Sequence, residues 1–136
     1  MKLLLILLTL IFVVNAKVAL PDDLMKEWKK VASRYEEECV EESGTDPIVA
    51  KTIFKNKRLL NEEQLGCFIE CLNRKYGMLT PDGVFHMDVW LSTIKHLTPE
   101  VAVTCIKEHE NVTNLCKRSY RLALCVAKAN YVKAFA

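Results

Sequence analysis

Cysteine and histidine are the side chains here best suited to covalent or metal chemistry, and their spacing decides which kind is open to them. Six cysteines stand at positions 39, 67, 71, 105, 116 and 125. None forms a CxxC pair, and His86, His96 and His109 are not at ligand spacing with any cysteine pair, so no metal site is expected. Hydrolytic signatures are absent too: there is no GxSxG, HExxH or P-loop. A secreted helical phospholipase would need a histidine and an aspartate poised beside paired cysteines, and a glycine-rich calcium loop; the sequence has neither. It reads as a protein with no catalytic residue and no cofactor. The chemistry left to the cysteines is the disulfide.

The amino terminus agrees with an oxidising destination. Lys2 precedes an apolar run from Leu3 to Val14, and Val14 and Ala16 then sit at the −3 and −1 positions of a small-residue cleavage site. Twelve residues at about 1.5 Å each cover about 18 Å, too short for a hydrocarbon core of about 30 Å. Residues 1–16 are therefore read as a secretory signal peptide and residues 17–136 as one domain, secreted and extracellular. An even cysteine count behind such a signal implies three disulfides. Without Lys2 the basic residues fall from 19 to 18 against 17 acidic ones, a balance that excludes nucleic acid as a partner. The acidic cluster at Glu36–Glu38, Glu41 and Glu42 reads as a solvated helix end.

The elements that must position these cysteines are helical. Apolar residues recur at the helical period and no strand-like alternation is sustained. Leu24, Trp28, Val31 and Tyr35 form one stripe of a first helix over about 23–38. Asp46 or Thr45, followed by Pro47, opens a short second helix with Ile48, Val49, Thr52 and Ile53 inward. Residues 56–60 read as a basic loop. A third helix follows from an Asn61 cap and is stopped by Gly77, with Leu65, Phe68, Ile69 and Leu72 on one side. Residues 80–83 make a turn. A fourth helix spans about 86–96, with Met87, Trp90, Leu91 and Ile94 inward. Thr98-Pro99-Glu100 starts a fifth, and Asn114 caps a sixth that reaches about residue 132. Lys117, Arg121 and Lys128 occupy one narrow stripe of the sixth helix, while its apolar residues spread over roughly 200°, twice what a surface helix needs. That helix is expected to form a wall of the interior.

Cys67 and Cys71 lie one turn apart on the third helix and cannot easily bond to each other, and Cys116 and Cys125 are about 13 Å apart along the sixth. Of the 15 pairings six cysteines allow, these two exclusions leave ten. In every one the third helix is tied to two different places, and the sixth is pinned from opposite sides. Each bridge contributes roughly 2–4 kcal/mol, mostly by restricting the unfolded chain. An empty interior costs about 20–25 cal/mol per Å³, so covalent staples let a small domain keep a hollow.

The cysteine pattern x27, x3, x33, x10, x8, the ECVEESG of residues 38–44 and the CFIECLNRKYG of residues 67–77 resemble the insect pheromone and general odorant-binding proteins over the whole of residues 17–136. The x33 gap is a few residues shorter than usual in that family, and the neutral-to-basic charge departs from its commonly acidic members. The resemblance implies the pairing Cys39–Cys71, Cys67–Cys116 and Cys105–Cys125. It also implies an all-α fold of six helices around a central apolar cavity. The implied function is to carry small hydrophobic ligands such as odorants or pheromones through aqueous fluid, with a receptor or membrane surface at the point of release, as a monomer or weak homodimer. A carrier in haemolymph, venom or reproductive fluid has the same pocket physics.

From the helical faces, the expected ligand-binding residues are Trp28, Ile53, Phe68, Leu72, Met78, Phe85, Met87, Trp90, Ile94, Tyr120, Leu124 and Tyr131. Methionine adapts to varied ligand shapes, and Tyr120 and Tyr131 can offer hydroxyls to an alcohol, aldehyde or ester. Val132 and Phe135 are expected to fold over the mouth, as the tail does in some members of the family. The histidines offer a pH switch for release, or simply solvated helix ends. Asn111-Val112-Thr113 is a glycosylation sequon in an expected surface loop.

Overall fold

The computed structural model describes residues 20–53 and 62–135, with side chains described through Tyr131. Residues 1–16, the 56–60 loop, Asn61 and the side chains of Val132 and Phe135 lie outside the described residues. Among the described residues there are seven helices and no strand: α1 (Asp22–Ser33), α2 (Glu36–Ser43), α3 (Pro47–Thr52), α4 (Glu62–Lys75), α5 (Met87–Thr93), α6 (Pro99–Glu108) and α7 (Leu115–Phe135). The all-α, disulfide-stapled architecture is the expected one. The helix count differs because the first expected helix is two.

That break has an identifiable cause. Tyr35 leaves helical geometry at φ −122°, ψ 15°. Its amide bonds the carbonyl of Ala32 at 3.3 Å, so the carbonyl of Val31, its partner in an unbroken α-helix, is released. The Tyr76 hydroxyl donates to that oxygen at 2.6 Å. The Tyr35 and Tyr76 rings then meet edge-to-face at 5.1 Å. A continuous apolar stripe could not reveal this, because the competing donor lies 45 residues away.

Local start signals act as their chemistry requires. The Asp46 side chain accepts from the Ile48 amide at 2.8 Å ahead of Pro47. Thr98 accepts from Val101, and Asn114 from Lys117. Gly44 and Gly77 end α2 and α4 with φ of +68° and +71°. Ile48 is 71% exposed rather than inward, since five steps of about 100° turn it away from buried Ile53. α5 is shorter than expected: Ile94 is extended, and His96 adopts φ +65° to turn the chain toward α6.

α4 and α7 pack together more extensively than any other pair. Gly66 makes this possible. A Cβ there would meet the backbone oxygen of Cys116 at 2.8 Å. The disulfides are Cys39–Cys71, Cys67–Cys116 and Cys105–Cys125, the pairing implied by the resemblance. They tie α4 to α2 and α7, and α7 to α4 and α6. The acidic cluster on α2 is not merely solvated: Glu42 pairs with Arg74, and Glu38 with Lys75 at 2.7 Å.

Candidate functional site

α7 supplies one wall of an apolar cavity of about 130 Å³. Ser119, Leu122, Ala123 and Val126 stand at i, i+3, i+4 and i+7, one helical stripe, and all four border it. Two of them are small and one turn apart, which leaves a notch. α4 faces that stripe with Phe68, Ile69, Leu72 and Asn73, and the chain beyond α4 adds Tyr76 and Met78. α1 brings Met25, Trp28, Val31 and Ala32. Trp90 and Ile94 from the α5 region, with Leu20 and Ile53, complete the wall among the described residues. A hollow of about 130 Å³, were it sealed and empty, would cost about 3 kcal/mol at ~24 cal/mol per Å³. Closing the 20-residue separation between Cys105 and Cys125 contributes about 3 kcal/mol. One bridge is therefore enough to offset even a sealed hollow of this size.

The wall is apolar because most of its polar atoms are used elsewhere. The Trp28 indole N–H donates to the carbonyl of Lys95 at 3.3 Å, docking α1 on the turn made by His96. The Tyr76 hydroxyl is spent on Val31, and burial pushes that phenol's pKa up. Ser119 differs: it is 0% exposed, and its Oγ has no hydrogen-bond partner among the described residues.

Of the residues expected to bind ligand, Trp28, Ile53, Phe68, Leu72, Met78, Trp90 and Ile94 stand on this wall. The others do not. Phe85 is half-buried beneath the Arg118 guanidinium, 5.3 Å from its ring centroid, and leans on Trp90. Met87 packs beside the Trp90 cluster, behind the wall. Tyr120 and Leu124 belong to the cluster around Cys39 and Ala50, where burial raises the Tyr120 pKa. Tyr131 packs against the Leu20, Leu24, Met25 and Ala127 cluster. The reason is the same for the three α7 residues: 120, 124 and 131 form the stripe next to 119, 122, 123 and 126. On a helix apolar over several faces, period alone does not say which stripe meets the hollow. The pair of small residues, Ser119 and Ala123, was the usable signal.

Phe135 falls in the last turn of α7, and its side chain lies outside the described residues. His86 and His96 are exposed and His109 is half-buried; none of the three borders the cavity. Asn111 is exposed in the turn after α6. Glu108, His109 and Cys125 bring possible ligand atoms within 4.8 Å of one another, but the Cys125 sulfur is bonded to Cys105 and is no thiolate.

A family model described as the PBP/GOBP family, the pheromone-binding and general odorant-binding proteins, matches residues 21–129. The chain belongs to that family. Its three disulfides, its helices and its apolar hollow are those of a binding protein for small hydrophobic ligands. No curated protein and no solved structure gave a match. Among the described residues, no helix is long and apolar enough to cross a membrane.

Proposed function

We propose that the chain, released from its signal peptide at Ala16, is an extracellular carrier that takes up small volatile or otherwise poorly soluble compounds and moves them through aqueous fluid without transforming them. The supporting observation is the cavity, apolar on nearly every side and walled by helices that three disulfides hold apart. The ligand-binding set proposed is the group of sequence-expected residues on that wall, joined by the α7 stripe from Ser119 to Val126. Asn111, exposed and in a sequon, is open to glycosylation on the secretory route.

The chain carries its own reporter. It has two tryptophans, Trp28 and Trp90, and both border the cavity. Titration with an apolar environment-sensitive dye, followed by displacement with small hydrophobes, should change tryptophan emission saturably at one site per chain. Ala123→Phe, which fills the notch on α7, should abolish uptake while leaving the helical circular dichroism intact. Uptake that survives this substitution, or no uptake by the oxidised protein, would defeat the carrier reading.

A further inference from the structure

We infer that Ser119 selects the ligand: the cavity is built for a compact apolar molecule carrying one hydrogen-bonding oxygen, which bonds to the Ser119 hydroxyl. This rests on the carrier reading above and deepens it. Ser119 is 0% exposed, yet its Oγ has no partner among the described residues. Buried polar side chains are almost always bonded, so an unbonded one demands a reason. A serine within a helix usually returns its hydroxyl to a carbonyl of the preceding turn, and here it does not. It borders the cavity, between apolar neighbours Leu122 and Ala123. Of the other polar side chains on the wall, Tyr76 and Trp28 are already committed to carbonyls, while buried Asn73 adds a carboxamide. As placed, the Ser119 Oγ exposes no surface to the hollow, so the hydroxyl must rotate toward it as the guest enters. A guest oxygen then meets an underused donor and acceptor in a low-dielectric setting, where one hydrogen bond discriminates strongly.

The size of the guest follows from the hollow. About 130 Å³ is close to the roughly 150 Å³ cavity that accepts benzene in an engineered protein. A single ring or a short chain matches that volume.

Cyclohexanone and methylenecyclohexane share a shape and differ in one oxygen, so they isolate the proposed contact. Their affinities for the oxidised wild-type chain and for Ser119→Ala are measured by displacement of an apolar dye. Ser119→Ala should weaken cyclohexanone by roughly two- to tenfold, the range of one hydrogen bond, and leave methylenecyclohexane unchanged or tighter. Independently of any variant, the ketone stretch of cyclohexanone bound to the wild type should move to lower wavenumber than in a hydrocarbon solvent. Equal effects of Ser119→Ala on both ligands, or a bound ketone stretch at its hydrocarbon value, would overturn the assignment and leave the carrier reading standing. Failure of both ring compounds and of the dye to bind the wild type would remove the carrier reading and this inference with it.

Discussion

Gly66→Ala sets two effects of known size against each other, and the structure says which one wins. Gly66 lies inside α4. In an isolated helix the change to alanine is favourable by about 1 kcal/mol. In this fold the added Cβ would sit 2.8 Å from the carbonyl oxygen of Cys116 and 3.0 Å from its carbon. Both are backbone atoms, so no rotamer change clears them. Cys116 cannot drift away freely, because it is bonded to Cys67, the next residue on α4. Relief requires α4 and α7 to separate by about half an ångström along their closest line of packing, and well-packed interiors resist such shifts at about 1–3 kcal/mol. With rigid backbone on both sides the cost belongs at the top of that range, leaving a net loss of about 2 kcal/mol after the propensity gain. For a domain of this size that lowers the melting temperature by about 5–10 °C. Thermal and urea unfolding of the oxidised protein, followed by helical circular dichroism, measure it. A melting temperature equal to or above that of the wild type would refute the close approach on which the cavity's two principal walls depend.

Other substitutions probe the remaining supports. Tyr76→Phe keeps the edge-to-face contact with Tyr35 but strips Val31 of its acceptor bond, and should cost about 1 kcal/mol by urea unfolding, with faster amide exchange around residues 31–35. Replacing Cys105 and Cys125 together by alanine opens a loop of sequence separation 20 and should lower stability by about 3 kcal/mol, enough to make the unoccupied hollow a burden that added ligand relieves. Ser119→Ala removes a buried hydroxyl without a partner and adds a better helix former, so the ligand-free protein should gain about 1 kcal/mol or more; a loss of that size would mean the hydroxyl is bonded in the folded state. The Arg74 guanidinium holds the Glu42 carboxyl below its ordinary range, chiefly through its hydrogen bond. A depressed carboxylate stabilises the fold above its unfolded pKa and loses that contribution as pH falls through the folded one. Glu42→Gln should therefore lower neutral-pH stability by less than 1 kcal/mol, because the pair is exposed, and flatten the decline below about pH 4 by the same amount, so that variant and wild type converge in acid.

The start of α7 shows how far reasoning from residues reaches and where it stops. Asn114 as cap, the charged stripe of Lys117, Arg121 and Lys128, and the spread of apolar residues around the rest were all legible, and they correctly make this helix a wall. Which apolar stripe meets the hollow was not, because helical period repeats for every stripe alike and only the neighbours distinguish them. Tyr120 therefore faces the Cys39 and Ala50 cluster, while Ser119, one residue earlier, borders the cavity.

The first helix makes the same point from the backbone. Its stripe of Leu24, Trp28, Val31 and Tyr35 is continuous in the sequence, yet the chain breaks at Tyr35 so that Tyr76 can bond Val31. Short-range information, read from caps, prolines, glycines and the ten-fold ambiguity left in cysteine pairing, determines that this chain is helical and crosslinked. Burial, the hollow, the orphaned hydroxyl and the choice among pairings depend on groups 20 or more residues apart meeting in space, up to 67 for the Trp28–Lys95 bond. Local propensity carries no term for such meetings, and so the tertiary structure alone decides them.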